Sequence, residues 1–271
     1  MHEADKKTSV EAYYDERSRE YDSDFEEFTW KVYDTLTWKY LEPYLRAKKE
    51  TIVLDAGGGT GRWSIPMALI GCQVHLVDMS EGMLDRAKSK VAQKGVQDKV
   101  IIKKGDITRL TYSDETFDLV FADQVLFILE DKESVLQEFY RVLRKDGIMI
   151  ASVPNRYVMS LVRVSEDPRV ALQLLQDRIH NKLESSKGTK VEIHRATPDE
   201  LVELCERTGF KAEKIVGKLF TMPIFLRDEI SRSKSYSREY LEEILKIEME
   251  LCERKDALGL AQTLQLIARK S

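Results

Sequence analysis

With 271 residues the chain is long enough for one α/β domain carrying an elaborated cap, and two independent domains would be cramped. Its 43 Lys and Arg nearly balance 47 Asp and Glu, leaving a formal charge of −4, so there is no global positive field to gather phosphate backbones and no nucleic-acid partner is expected. The charged start, Met1-His2-Glu3-Ala4-Asp5-Lys6-Lys7, lacks the apolar stretch of a signal peptide, and no later run approaches the roughly 20 apolar residues of a membrane span, which predicts a soluble, cytoplasmic protein.

The segment from about Val10 to Tyr44 is dense in aromatics, among them Tyr13, Tyr14, Tyr21, Phe25, Trp30 and Tyr33. It predicts two helices joined by an acidic loop around Asp22-Ser23-Asp24. From residue 50 onward short apolar runs alternate with helical patterns. The runs are Thr51–Leu54, Gln73–Val77, Val100–Ile102, Phe117–Phe121 and Gly147–Val153. Their near-continuous apolarity predicts strands covered on both faces of a parallel sheet.

Between the runs, Met83, Leu84, Ala87 and Val91 recur at helical spacing after the cap Ser80 and before Gly95, and Val135, Leu136, Phe139 and Val142 do so after Asp131. Arg156 to Leu183 reads as helix broken near Pro168, a candidate lid. Thr197-Pro198-Asp199-Glu200 then opens another helix, which Gly209 ends before a strand over Lys211–Leu219. A long amphipathic helix lies within Thr221–Glu253, and Thr263–Ala268 reads as the last strand.

The expected fold is therefore a Rossmann-like, seven-stranded, mostly parallel sheet with helices on both faces, a C-terminal antiparallel hairpin and a helical cap and lid. It forms one domain: a cap over 1–45, a core over 50–155, a helical lid over 156–190, and a remainder over 196–271 that includes a helical insertion at 221–255. Three cysteines (Cys72, Cys205, Cys252) and four histidines are scattered without ligand spacing, so buried thiols and no metal site are expected.

Strand, tight glycine turn, helix lets backbone amides approach a polar ligand at the carboxyl end of a parallel sheet. Here the turn is Asp55-Ala56-Gly57-Gly58-Gly59-Thr60-Gly61. The dinucleotide fingerprint needs its third glycine three residues after the second, and Arg62 stands there, so a pyrophosphate meets the wrong loop. Asp78, ending the second run, can accept from both hydroxyls of an adenosine ribose. Asp106, after the third, can accept from the adenine amino group while the Ile107 amide donates to the ring, and Asp123 ends the fourth. Four successive strand ends thus carry Asp55, Asp78, Asp106 and Asp123.

These segments resemble the class I S-adenosylmethionine-dependent methyltransferases, in particular the small-molecule branch typified by quinone-biosynthesis enzymes (methyltransferase type 11). The likeness runs through Val53–Gly61, Val77–Leu84, Gly105–Ile107, Phe117–Leu126 and Val142–Gly147, in order and at the expected spacing. It implies S-adenosylmethionine as cofactor. Asp55, Gly57 and Gly59 would face the methionine end, Asp78 the ribose, and Asp106 with Ile107 the adenine. Asp123 would lie near the methionine amino group and Met79 against the adenine, with Gly61 and Met83 completing the set. The opening Tyr13–Asp22 looks like the family's cap, in which a tyrosine closes over the methionine. Tyr14 and Tyr21 are the candidates, and with Phe25 they offer aromatic faces to a sulfonium. Where many relatives carry histidines after the fourth strand, this chain has Phe127-Ile128.

The expected activity is methyl transfer to a small-molecule acceptor by in-line displacement, catalysed mainly by orientation and desolvation. A hydroxyl acceptor would need a base, for which His194 and, more weakly, Tyr21 are candidates. Arg156, Arg163, Arg169 and Arg178 either clamp an anionic, partly apolar substrate or form a solvated helix face. The alternatives are a nicotinamide-dependent oxidoreductase and a non-catalytic subunit that binds S-adenosylmethionine. An RNA substrate is disfavoured by the acidic balance, and oligomeric state does not follow from the residues.

Overall fold

Successive residues of a strand point to opposite faces, so a strand apolar at every position needs cover on both sides. The computed structural model, which describes residues 8–26, 28–46, 50–177, 180–221 and 237–271, supplies that cover. β1 (Ile52–Ala56), β2 (Gln73–Asp78), β3 (Val100–Lys104), β4 (Phe117–Asp123) and β5 (Leu143–Pro154) pair in parallel, while β9 (Thr263–Lys270) runs antiparallel between β5 and β8 (Phe210–Lys218). The order across the seven strands is β3-β2-β1-β4-β5-β9-β8.

Val53, Leu119, Phe121, Ile148 and Ile150 pack on one side with α2 (Phe28–Leu45), α3 (Ser64–Leu69) and α4 (Glu81–Gln93). Their neighbours Leu54, Val120, Ala122, Met149 and Ala151 pack on the other with α5 (Lys132–Val142) and α8 (Pro198–Arg207). The sheet is thus clad in two separate apolar cores. This is the Rossmann-like arrangement that the alternation of runs and helices implies.

The helix starts obey local chemistry. Ser80 accepts from the Met83 amide, Asp131 from Ser134, and Thr197 with Glu200 forms a reciprocal capping box ahead of Pro198. Gly95, at φ 68°, closes α4. β5 begins at Leu143, ahead of the apolar run at Gly147: Asp146, at φ 61°, and Gly147 sit inside it as an irregularity, so that Leu143 still pairs with Phe117.

The cap has α1 (Ser9–Arg17), a 3-10 turn over Tyr21–Glu26, and α2. The lid departs from the helical expectation. After α6 (Arg156–Leu161) and α7 (Pro168–Leu175) the chain forms an antiparallel hairpin, β6 (Asn181–Glu184) and β7 (Lys190–Ile193), turning at Gly188. Leu183 is therefore a strand residue rather than a helical one. Buried Val191 and Ile193 alternate with exposed Lys190 and Glu192, a period that a helix would scatter around its circumference. The late amphipathic helix is α9 (Arg238–Leu251), and the expected stretch over 222–236 lies outside the described residues. Cys72, Cys205 and Cys252 are all buried thiols. Among the described residues no helix is long and apolar enough to cross a membrane.

Candidate functional site

Strand order reverses beside β1, whose two neighbours are β2 and β4, and the connections leaving their carboxyl ends part to form a crevice. The glycine turn fills its floor. The Gly57 and Gly58 amides donate to the Val77 carbonyl at 2.7 and 3.2 Å, and Gly61 donates back to Gly58 at 2.9 Å. Gly57, Gly59 and Gly61 have φ of 72°, 53° and 79°, the left-handed region that a glycine enters without strain. A side chain on Gly57 would meet Val125 at 2.6 Å, whereas one on Gly59 would meet nothing within 4 Å and would point into open space. Gly58, outside the expected set, is equally constrained: its Cβ would lie 2.7 Å from Leu76 and 2.8 Å from the Asp55 carboxylate.

The strand-end acids converge here in different states. Asp55 is 2% exposed and accepts from the Ser64 hydroxyl at 2.6 Å. Burial pushes its carboxyl up to about 7, against the pull of Ser64. Asp78 accepts from the Gly59 amide at 3.0 Å and from the Ser80 amide at 2.9 Å, so it both pins the loop and starts α4. Burial pushes it up to about 6. Asp106 is exposed at the rim, with Oδ1 engaged by the Thr108 amide and hydroxyl, each at 2.8 Å. Asp123 accepts from the Tyr33 hydroxyl at 2.5 Å and from the Trp63 indole at 2.9 Å.

Two adjoining cavities open above this floor. The first, with an empty volume of about 610 Å³, is lined among others by Tyr14, Tyr21, Gly57, Gly59, Asp78, Met79, Met83, Asp106, Ile107 and Asp123. That brings together ten of the twelve residues expected to hold the cofactor. Asp55 lines the second cavity instead, and Gly61 lies behind the loop with the Ala87 and Leu76 side chains 3.6 Å from its would-be Cβ. The second cavity, about 850 Å³, shares Tyr14, Tyr21, Gly57, Gly59, Asp123 and Gln124 with the first. It adds Tyr13, Arg17, Trp30, Arg62, Trp63, Phe127 and Leu183.

The residues lining the first cavity suit a cofactor of adenosyl type. Gly59 leaves the floor clear of side chain, acids stand along one wall, and the Tyr14 and Tyr21 rings, 6.1 Å apart at 74°, stand where the two cavities meet. Burial raises both phenols far above their ordinary range, so neither is a base. The Phe25 side chain lies outside the described residues.

The cap is tied over this floor by carboxylates that the sequence did not single out. Asp15 accepts from the Ser80 hydroxyl at 2.6 Å and the Gly82 amide at 2.9 Å. Asp22 accepts from Thr60 at 2.6 Å and Lys90 at 2.9 Å. Glu16 accepts from Ser185 and, at 3.0 Å, from Thr189, joining α1 to the hairpin turn.

Two expectations change. The insertion arginines do not form a clamp: Arg156 is buried in ion pairs with Glu200 (2.6 Å) and Asp177 (3.2 Å), Arg163 pairs with Glu166, Arg169 is exposed, and Arg178 lies outside the described residues. The cations along the second cavity are Arg17 and Arg62. Arg17 donates to the Tyr13 hydroxyl at 3.0 Å. Arg62 pairs with Asp34 and lies over the Trp30, Tyr33 and Trp63 rings at 5.0, 5.7 and 5.3 Å. The His194 ring lies tilted by 51° against that of His180, centroids 4.5 Å apart, and the His194 backbone amide donates to the Phe127 carbonyl. Its ring lines neither cavity, and burial lowers its basicity.

Comparison with known proteins places these features in context. Residues 47–209 match a family model described as a methyltransferase domain. The tRNA 5-carboxymethoxyuridine methyltransferase of Escherichia coli K12 is 27% identical over 94% of this chain and 97% of its own length. The demethylmenaquinone methyltransferase of Lactiplantibacillus plantarum is 31% identical over 59% of this chain and 70% of its own. An S-adenosylmethionine-dependent methyltransferase of Thermotoga maritima superposes with a TM-score of 0.61 at 19% identity, covering 96% of this chain and 99% of that one.

Proposed function

The chain belongs to the methyltransferase-domain family and is an S-adenosylmethionine-dependent methyltransferase, and from that premise we propose that it methylates a small, anionic acceptor held in the cavity beside the glycine loop. One observation carries the reading: two guanidinium groups stand along that cavity, Arg17 bonded to Tyr13 and Arg62 paired with Asp34. The buried tyrosines hold their protons, so neither phenol serves as a base. An acceptor that arrives already deprotonated needs no base, and two guanidinium groups favour such a group.

The cofactor, when bound, supplies an electrophilic methyl carbon on a sulfonium centre whose departure as a neutral sulfide requires no acid. The chain's own residues do the remainder. Asp78 offers acceptor lone pairs to the ribose hydroxyls, Asp106 and Ile107 bracket the adenine, and Met79 and Met83 pack against it. Asp123 receives the amino group of the methionine end. Tyr14 and Tyr21 present ring faces to positive charge between the cavities and help to keep water out. Arg17 and Arg62 orient the acceptor. Alignment of this kind can supply roughly 7–11 kcal/mol toward a two-reactant transfer.

A second reading is favoured by the alignment with the Escherichia coli enzyme, which spans nearly all of both chains and whose name specifies a tRNA nucleoside. The acceptor would then be an anionic group on tRNA, entering the same cavity. Incubating the protein and methyl-labelled cofactor with a small-metabolite extract and, separately, with bulk tRNA decides between them. Label in anionic small molecules supports the first reading, and label in tRNA alone replaces it with the second. Label confined to neutral amines contradicts the anionic acceptor.

A further inference from the structure

Lys218 is 0% exposed, yet it carries an ammonium into the middle of the molecule. It ends β8, and its Nζ donates to Thr37 Oγ1 at 2.7 Å, Gln265 Oε1 at 2.8 Å and Ser152 Oγ at 3.3 Å. These partners use all three donors, and they come from α2, β9 and β5. Burial brings the amine down to about 8. Asp34, Arg62, Asp123 and Cys252 are the charged or titratable groups whose fields it feels. Apolar packing would fill this space at lower cost than a buried charge, so a use for the charge is expected.

The use lies one ring away. The Lys218 ammonium sits 3.9 Å from the centroid of the Tyr33 ring, and the Tyr33 hydroxyl donates to Asp123 Oδ1 at 2.5 Å. Gln124, which lines both cavities, donates to the same hydroxyl at 3.0 Å. The Trp63 indole holds Asp123 Oδ2 at 2.9 Å. A cation on the face of a phenol draws electron density from the ring and strengthens its O–H as a donor, and hydrogen bonds in series reinforce one another. Asp123, which lines both cavities, is thus held by a donor on each oxygen, and each oxygen keeps a lone pair for a further donor.

We propose that Lys218 is a positioning residue for the amino-acid end of the cofactor, acting through the Tyr33 ring to hold the Asp123 carboxylate in its receiving orientation. The inference rests on the reading that Asp123 receives the methionine amino group. It assigns Lys218 no part in gripping the nucleoside, which meets Asp78, Asp106 and Ile107 at the far end of the cleft.

The test compares two ligands that share the nucleoside, S-adenosylhomocysteine with the amino-acid end and 5′-methylthioadenosine without it, by titration calorimetry. Lys218→Met should weaken S-adenosylhomocysteine at least tenfold and leave 5′-methylthioadenosine within twofold. Tyr33→Phe, which removes only the hydroxyl, should show the same selectivity at about fivefold. Equal weakening of both ligands would make Lys218 a packing residue and overturn the proposal, as would unchanged binding of both. Selective loss in Lys218→Met with Tyr33→Phe unaffected would overturn the route through the phenol. If Lys218→Met does not fold, the Tyr33→Phe pair of affinities decides by the same criteria. Asp123→Asn separates the underlying reading: if it leaves the ratio of the two affinities unchanged, Asp123 is not at the amino-acid end and the failure lies there rather than at Lys218.

Discussion

In the floor of the cleft Asp55 and Asp78 are held by a serine hydroxyl and by backbone amides, on a sheet whose two faces are both buried. The cover, α1 and the β6–β7 hairpin, is attached differently. Asp15 and Glu16 on α1 and Asp22 on the turn after it reach to Ser80, Ser185, Thr189, Thr60 and Lys90, and the apolar side chains that the cover buries are few, Tyr13 of α1 and Val191 and Ile193 of the hairpin. Apolar burial stabilises at about 25 cal/mol per Å² and fixes position, whereas each exchangeable polar contact contributes roughly 1 kcal/mol net. The floor is therefore built to keep its shape, and the cover can let go at modest cost, as a site that must admit and release two ligands requires.

The difference is sharpest at Gly58. Replacing it with Val forces a side chain against Leu76 and the Asp55 carboxylate, both part of the rigid floor, and should destabilise the protein by about 2–3 kcal/mol and abolish S-adenosylhomocysteine binding. Thermal unfolding and calorimetry read the two effects. Gly59→Val, with no protein atom in its way, should lose binding with a smaller drop in melting temperature. What destabilisation Gly59→Val does cause comes from holding a β-branched residue at φ 53°, and a Gly58→Val protein as stable as wild type would mean that the loop is not held as described.

Asp78→Ala comes next. It should weaken S-adenosylhomocysteine at least tenfold, about 1.4 kcal/mol, with the circular dichroism spectrum unchanged. Acidity should separate binding from folding at the same residue. Its carboxyl is raised to about 6 and that of Asp55 to about 7. In the ligand-free protein both groups therefore bind protons more tightly folded than unfolded. Their contribution to stability is full below about pH 4 and is lost as pH rises through 6 to 7. Cofactor affinity should run the opposite way, falling as pH drops through about 6 because a protonated Asp78 is a poorer acceptor for ribose hydroxyls. Asp78→Asn should flatten the slope of affinity with pH, and a slope identical to wild type would assign it elsewhere.

The smallest effect belongs to the cover. Glu16→Ala frees α1 from the hairpin turn and should shift stability by no more than about 1 kcal/mol. It should leave cofactor affinity within twofold and raise KM for the methyl acceptor a few-fold, measured by label transfer. A larger loss at the cofactor than at the acceptor would contradict the division between floor and cover.

The floor was legible in the sequence and the cover largely was not, for the same reason. Val53, Val77, Leu119 and Phe121 announce buried strands by local apolarity, and Asp55, Asp78, Asp106 and Asp123 end them at positions that the strand boundaries alone define. Ser80 and Thr197 mark helix starts by chemistry that acts within three residues. By contrast, Lys218 meets Thr37 across 181 positions and Glu16 meets Thr189 across 173, pairings that no local period encodes. The hairpin did carry a signal, since Lys190-Val191-Glu192-Ile193 alternates strictly and Gly188 precedes it. The helix expected over Arg156–Leu183, with the lid carried to 190, passes over it. The insertion arginines could be read two ways because charge is visible in sequence but its partner is not: Glu200 lies 44 positions from Arg156.

A crystal structure with S-adenosylhomocysteine bound tests the central claim most directly. The account predicts both ribose hydroxyls within hydrogen-bond distance of the Asp78 carboxylate, the adenine between Met79 and Ile107, and the amino group on Asp123. A nucleoside seated elsewhere, or Asp78 still bonded only to the Gly59 and Ser80 amides with the ribose out of reach, would contradict it.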